Sequence, residues 1–422
     1  MSSRVRPTGR RKSIYDPVHG PIALEGPSLA LVGTPEFQRL WGIRQTGLAH
    51  LVFPGANHTR LEHSLGSYWV TSRLSEQLSL GDADSDRIAA GALLHDIGHG
   101  PFSHTLDGPM LEVLGVPHER LSCLRIEGKD PDWPSDRVEV PNVLERFGIP
   151  PASVARLIDP REPPRARRLL RAILHGPIDA DRIDYLQRDA YYTGVAYGAI
   201  DAVRLLDTVR AVDARMAFAE KGRSAVEGFL VGRALMYSTV YFHKTVRAAE
   251  MMAQGAVERM DGYPDAARPL FFGRDAELLV HLREAGALSR SLVEGLLDRR
   301  LYKRAFGWRS VEPAVRARWN RAISAPAERR RMEDEIADRV GAPAGSVLLD
   351  LSGLVADPEP GDDWGEVAVE VGGELTFPFR GGSPWRTLAD RSPSEWAVSV
   401  YASRRWAGAV ARRLSRDPGL VP

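Results

Sequence analysis

At 422 residues the chain exceeds one ordinary domain, and with 43% hydrophobic and 26% charged residues it can bury a large core as soluble globular proteins do. Lys and Arg number 56 against 55 Asp and Glu, so net charge gives no argument for a nucleic-acid partner; the one cysteine, Cys123, excludes an internal disulfide and a cysteine-based zinc site. The N-terminal stretch MSSRVRPTGRRKSIYD lacks the apolar run of a secretory signal, and no run of about 18 apolar residues follows, so the expected setting is a reducing cytoplasm with no membrane span.

In chain order, residues 1–12 read as a flexible basic arm, and SIYDPVHGPIAL as an extended segment turning at Pro17–Gly20. Thr34 is placed to cap a helix beginning at Pro35, with Phe37, Leu40, Trp41 and Ile43 expected to bury one face. FPGANHTRLEHSLG starts as a loop and becomes a helix near Thr59, where Arg60 and His63, three apart, share a face. A guanidinium fork suits a phosphate, although an R-x-x-H pair alone is more often a surface pair.

The densest chemistry lies in IAAGALLHDIGHGPFSHTLD, residues 88–107. Its apolar start predicts a buried helix that Gly98, Gly100 and Pro101 end, with His95 and His99 on one face while the helix lasts. Imidazole and carboxylate at one helix end suit Zn, Fe or Mn, and their desolvation requires compensation by a cation or bound anion. His118 and Glu119 then open another helix after Pro117. Residues 127–165, rich in Pro, Asp and Glu, predict short helices and turns without evident chemistry. Arg161, Arg165, Arg167, Arg168 and Arg171 follow on an amphipathic helix and read as a solvated face. In GPIDADRIDYLQRDAYYTG, Asp181, Asp184, Tyr185 and Asp189 form a ladder on one helix; such carboxylates repel one another unless cations or donors intervene. One long helix is expected over 224–260, further helices to about 340, then strands in SVLLDLSG, GEVAVEVGG and ELTFPFRGG, and a last amphipathic helix in SEWAVSVYASRRWAGAVARRL.

The string from His95-Asp96 to His104 closely resembles the HD-domain phosphohydrolases, and within them the deoxynucleoside triphosphate triphosphohydrolase branch. The resemblance continues through DPVHGPIAL, TPEFQRLWGIRQTGLAHLVFPGANHTRLEHSLG and GPIDADRIDYLQRDAYYTG, and more weakly through RALMYSTVYFHKTVRAAEMM and RRLYKRA, covering roughly the first 300 residues in order. It implies a mainly α fold: a helical HD domain over 13–340 behind the arm at 1–12, and a small α+β C-terminal lobe over 341–422 that contributes to oligomer contacts. It implies that His63, His95, Asp96 and Asp181 hold one divalent ion (Mn, Fe, Mg, Zn, Ni or Co). His104, with Asp107 and His118, would act in catalysis and His99 would contact phosphate. Arg60, Arg182 and Arg233 would bind phosphates; Gln45, Thr46, Tyr185, Asp189 and Tyr241 would hold the nucleoside, with His243 and Lys244 nearby. Arg182 replaces the usual Lys, which keeps charge but changes reach.

The implied reaction is hydrolysis at the α-phosphorus of a nucleotide, giving nucleoside and inorganic triphosphate, in a homo-oligomer (dimer or tetramer). The residues alone equally serve a nucleoside monophosphate, a modified nucleotide or a short oligonucleotide, and a third reading is a non-catalytic nucleotide- or nucleic-acid-binding protein. The chain departs from the family at Thr46, where an apolar residue usually excludes a ribose hydroxyl, which predicts weaker rejection of ribonucleotides. Gly33 and Trp41 replace the charged residues that read guanine in GTP-activated members, although Gln38, Lys12, Arg299 and Lys303 persist, which predicts an enzyme without GTP activation.

Overall fold

The computed structural model describes residues 10–159, 167–309, 319, 322, 325–352, 364–380 and 397–416. The chain is mainly helical, with three small sheets among the described residues. Expectations for residues 1–9, Arg161 and Arg165 fall outside the described residues.

Residues Lys12–Asp16 and Gly20–Leu24 form an antiparallel hairpin with Lys12 opposite Leu24, so the last residue assigned to the arm already belongs to a strand. Thr34 caps Pro35–Gln38 by accepting from the Phe37 N–H, but the helix lasts only four residues before tightening to a 3₁₀ turn at Arg39–Gly42. That change of pitch takes Trp41 off the buried face: Phe37, Leu40 and Ile43 are fully buried, whereas Trp41 is 56% exposed.

Three helices carry the centre: Arg60–Gln77, Asp82–Leu94 and Ala180–Thr193. The first begins where expected, because Thr59 and Glu62 satisfy each other's backbone N–H groups in a capping box. It packs on both of the others. Asp82–Leu94 buries Ile88, Ala90, Gly91, Ala92, Leu93 and Leu94, and it stops at Leu94 with His95 as its cap residue. The helix, expected within 82–99 and ended by Gly98, Gly100 and Pro101, is therefore shorter at its C-terminal end, and His95, Asp96 and His99 lie beyond it.

The long helix expected over 224–260 is two helices, Arg223–Met236 and Lys244–Glu258, joined by a π turn at Tyr237–Tyr241. Residues Lys303–Trp308, expected to be helical, form a strand; so do Val398–Ala402, expected to be part of the last helix, which instead spans Ala407–Arg416. Val398–Ala402 is the central strand between Lys303–Trp308 and Val347–Asp350, buried at every position, so it shows none of the alternation that betrays a half-exposed strand. The strands after 340 share their sheets with earlier ones, since Ala368–Val371 also pairs in parallel with Arg215–Ala219. Among the described residues no helix is long and apolar enough to cross a membrane.

Candidate active site

His63 projects from the first turn of its helix, His95 and Asp96 from the turn after Leu94, and Asp181 from the first turn of Ala180–Thr193, and the structure brings these side chains together. His63 Nε2 lies 2.9 Å from Asp181 Oδ1 and 3.8 Å from Asp96 Oδ2; His95 Nε2 lies 3.3 Å from Asp96 Oδ1 and 3.9 Å from Asp181 Oδ1. His63, His95 and Asp96 offer ligand atoms all within 4.8 Å of one another. His63 Nε2 and His95 Nε2 are buried facing only the carboxylates of Asp96 and Asp181, with no well-aligned hydrogen bond, an arrangement that a cation taking their lone pairs would favour.

The charges agree. Burial alone would depress the His63 pKa, yet Asp181 and Asp184 outweigh it and raise it to about 10, so a proton is held among these carboxylates where a divalent ion fits. Asp96 is held well below the usual carboxylate range: burial opposes this, but Arg60 and His95 overcome it. Two imidazoles and two carboxylates make a ligand set that several divalent metals accept once the ion displaces the proton on His63.

Asp184, read from the sequence only as part of the acidic ladder, orients this set. Its carboxylate takes His63 Nδ1 at 2.7 Å, His19 Nε2 at 2.6 Å, and Arg188 Nε and Nη2 at 2.9 and 3.0 Å. Holding His63 by Nδ1 leaves Nε2 for a metal. Arg188 also reaches Asp16 at 2.7 Å, and His19 stacks on Trp69 at 4.5 Å, which ties the N-terminal hairpin to the centre. For Asp184→Asn we expect metal affinity to fall roughly 10–100-fold and turnover to recover with excess metal. A metal titration read by activity checks this, and unchanged affinity contradicts the orienting role.

A second group adjoins the first. His99 Nε2 is 3.4 Å from Asp96 Oδ1, and its ring stacks on His118 with centroids 3.7 Å apart. His104, exposed, meets Asp107 Oδ2 through Nδ1 at 2.9 Å, while His118 Nδ1 is 3.5 Å from Asp107 Oδ1. Burial, then Arg60 and His118, keep His99 well below the usual imidazole range. For His118 burial is outweighed by Asp107 and the pKa rises. The four predicted catalytic residues therefore form one cluster with an acidic and a neutral imidazole side.

The predicted substrate residues divide. Tyr185, Asp189, Arg233 and Tyr241 meet: Asp189 accepts from the Tyr241 hydroxyl at 2.5 Å and from His58 Nε2 at 2.7 Å, and Arg233 Nε reaches the Tyr185 hydroxyl at 3.3 Å. His58, stacked on Tyr192, was not anticipated. Arg60 binds Asp96 Oδ2 at 2.5 Å and Ser103 at 2.6 Å, leaving Nη2 without a partner. Arg182 pairs with Asp179 at 2.5 Å and the Gly176 carbonyl at 3.0 Å. Gln45 Oε1 and Thr46 Oγ1 are buried and unpartnered. His243 caps its own helix through the Thr245 N–H, and Lys244 is exposed.

Two further residues position the loops. Phe102 and Ser103 both adopt positive φ, 57° and 53°, and Asp275 accepts from the Phe102 and Arg44 N–H groups at 2.7 and 3.0 Å. Arg39 donates to the carbonyls of Ile97, His99 and Gly273. Arg39 lies in a resembling stretch and Asp275 outside all of them, and only long-range contacts reveal their task.

A helical fold with a buried His-Asp centre and a flanking histidine cluster defines an HD-type hydrolase. Family models match accordingly: the HD domain over residues 60–189 and the HD associated region over residues 200–417, more than half of the chain. The chain belongs to the HD-domain phosphohydrolase family with the HD-associated region. It is 40% identical over 250 residues to an uncharacterised protein of Methanocaldococcus jannaschii, covering 58% of this chain and 49% of that one. It is 26% identical over 314 residues to the Dictyostelium discoideum homolog of the deoxynucleoside triphosphate triphosphohydrolase SAMHD1, covering 69% of this chain and 59% of that one. The chain thus spans about half to three-fifths of the length of these relatives. A phosphohydrolase structure from Bacteroides thetaiotaomicron superposes with a TM-score of 0.72 at 25% identity, over 93% of this chain and all of that one.

Proposed function

We propose that the chain is a metal-dependent hydrolase of (deoxy)nucleoside triphosphates that releases nucleoside and inorganic triphosphate. The observation that carries this reading is the convergence of His63, His95, Asp96 and Asp181 beside Arg60, with Tyr185, Asp189 and Tyr241 meeting nearby. The relationship to a deoxynucleoside triphosphate triphosphohydrolase supports the substrate class.

When bound, a divalent ion supplies Lewis acidity, acidifying a water and neutralising charge that develops on a phosphoryl oxygen. The other steps fall to the chain. The unpartnered Nη2 of Arg60 and the guanidinium of Arg233 bind phosphate oxygens, with Arg182 added after it exchanges its contact to Asp179. Asp189, already held by Tyr241 and His58, accepts the sugar hydroxyl. His104, its Nδ1 on Asp107, presents Nε2 to solvent and donates the proton to the departing 5′-oxygen; Asp107 stabilises the imidazolium. His118 tunes Asp107 from its other oxygen.

The test is incubation of pure protein with Mn²⁺, Mg²⁺ or Fe²⁺ and a nucleotide panel, identifying products by phosphorus NMR. Inorganic triphosphate supports the reading; single phosphate from monophosphates or no product at all sinks it. The assembly is taken as a homo-oligomer in the cytoplasm, and light scattering that finds only monomers contradicts the first half.

Thr46 sets a second expectation. Its buried, unpartnered Oγ1 is an acceptor for a ribose 2′-hydroxyl, worth about 0.5–1.5 kcal/mol. Thr46→Val should raise the deoxy-over-ribo ratio of kcat/KM by roughly three- to tenfold. An unchanged ratio removes Thr46 from the sugar pocket. No GTP activation is expected, because Gly33 and Trp41 offer no charged group to a base and the Gln38 amide is committed to the Val32 carbonyl at 2.7 Å. A GTP-dependent rise in rate refutes this.

A further inference from the structure

A cavity of about 310 Å³ lies between the Arg168–His175 helix, residues Gly176 to Ile178, the Arg215–Ala219 strand and residues Glu366 to Ala368. It shares no residue with the metal centre, the histidine cluster or the substrate residues named above. Its volume is at the lower end of small-molecule sites, roughly 300–1,000 Å³.

The lining has two characters. Arg168, Arg171 and Arg215 set three guanidinium groups against the single carboxylate of Glu366, while Ile178, Met216, Phe218 and Val367 supply apolar wall. Arg215 meets Glu366 Oε2 at 3.3 Å and Arg380 holds its Oε1 at 3.0 Å; with the Arg215 and Glu366 side chains 31% and 48% exposed, the Arg215 pair contributes only about 0–1 kcal/mol, so an incoming anion takes over Arg215 while Arg380 keeps Glu366. His175 also borders the cavity, but its Nε2 is sealed from solvent and so does not face the cavity.

We propose that this cavity is a second binding site, for a small organic phosphate with a planar or apolar body. The arginine forks take the phosphate oxygens and the apolar wall takes the body. The site is linked to the metal centre through a short path. The Gly176 carbonyl accepts from Arg182 at 3.0 Å, Asp179 caps the helix and pairs with the same guanidinium, and Asp181 is the next acidic residue. A Cβ on Gly176 would stand 2.5 Å from the Ala172 carbonyl oxygen, so this turn is closely packed on the cavity's own helix.

Titration calorimetry on the full chain, with the ribo- and deoxyribonucleoside monophosphates and with inorganic phosphate alone, tests the proposal. At least one monophosphate should bind with one molecule per chain, weakened about tenfold or more by Arg171→Ala or Arg215→Ala, the loss of one charged hydrogen-bonded pair. Met216→Trp, which fills the cavity without touching charge, should abolish the same binding, while Asp181→Ala leaves it intact. No binding, or binding lost in Asp181→Ala and kept in the arginine and Met216 variants, overturns the proposal. Equal affinity for inorganic phosphate reduces it to an anion patch and overturns the organic ligand. Because binding is read without turnover, this outcome is independent of whether the metal centre hydrolyses nucleotides.

Discussion

The Gly66→Ala variant is expected to lose stability by about 2–4 kcal/mol, and with it the metal centre, although alanine inside a helix is ordinarily better than glycine by about 1 kcal/mol. Gly66 lies within Arg60–Gln77, where a Cβ would stand 1.8 Å from Asp184 Oδ1 and 2.4 Å from Arg188 Nη2. Neither neighbour can yield. The Asp184 side chain is fully buried and bound by His19, His63 and Arg188, and breaking such a buried charged group typically costs about 3–5 kcal/mol. That cost exceeds the propensity gain and fixes the sign. Urea unfolding of wild type and variant measures it, and an alanine variant as stable as wild type shows that the helix and Asp184 have room to move apart.

Asp181→Ala is expected to act on chemistry instead. Its carboxylate is the shared neighbour of His63 Nε2 and His95 Nε2, at 2.9 and 3.9 Å, and its side chain is 34% exposed, outside the buried Asp184 cluster. Removing it should leave the fold intact and take metal content from about one ion per chain to near zero. Turnover should fall on the order of a thousandfold or more, because the acidification of a water and the neutralisation of phosphoryl charge are lost together. Elemental analysis beside a rate assay decides it. The contrast with Asp184→Asn is diagnostic: excess metal restores the orienting variant and leaves the ligand variant inactive. A fully metallated, active Asp181→Ala protein would remove the proposed centre.

Much of the centre was legible in the residues. His95-Asp96 after a buried apolar helix and the acidic ladder each demand a partner, because such groups have a desolvation cost, whereas Arg60 and His63 by themselves read as a surface pair, and it was the family resemblance that joined His63 and Asp181 to His95-Asp96. Local signals also located the start of Arg60–Gln77 at Thr59, where the capping residues are three apart. Spacing alone does not say which of the ladder's carboxylates faces the histidines and which sits behind them; the resemblance singled out Asp181. Asp181 and Asp184 differ by three positions on one helix, and only the packing of that helix on Arg60–Gln77 gives one to His63 Nε2 and the other to Nδ1.

The same division explains the errors. Helix lengths were overestimated at Leu94 and Met236 because nothing in the apolar pattern marks where tertiary contacts require a turn or a π turn. Val398–Ala402 was hidden because a central strand buried on both faces has no period of two to display. The amino-acid sequence alone, then, determined the chemical types available, the caps and the amphipathic faces, since these depend on neighbours within a few residues. The tertiary structure decided which carboxylate meets each nitrogen of His63, the need for glycine at 66, the buried anchors at Arg39 and Asp275, and the arginine-lined cavity at 168–178, because each depends on atoms brought together across more than a hundred residues, or across separate elements, by packing.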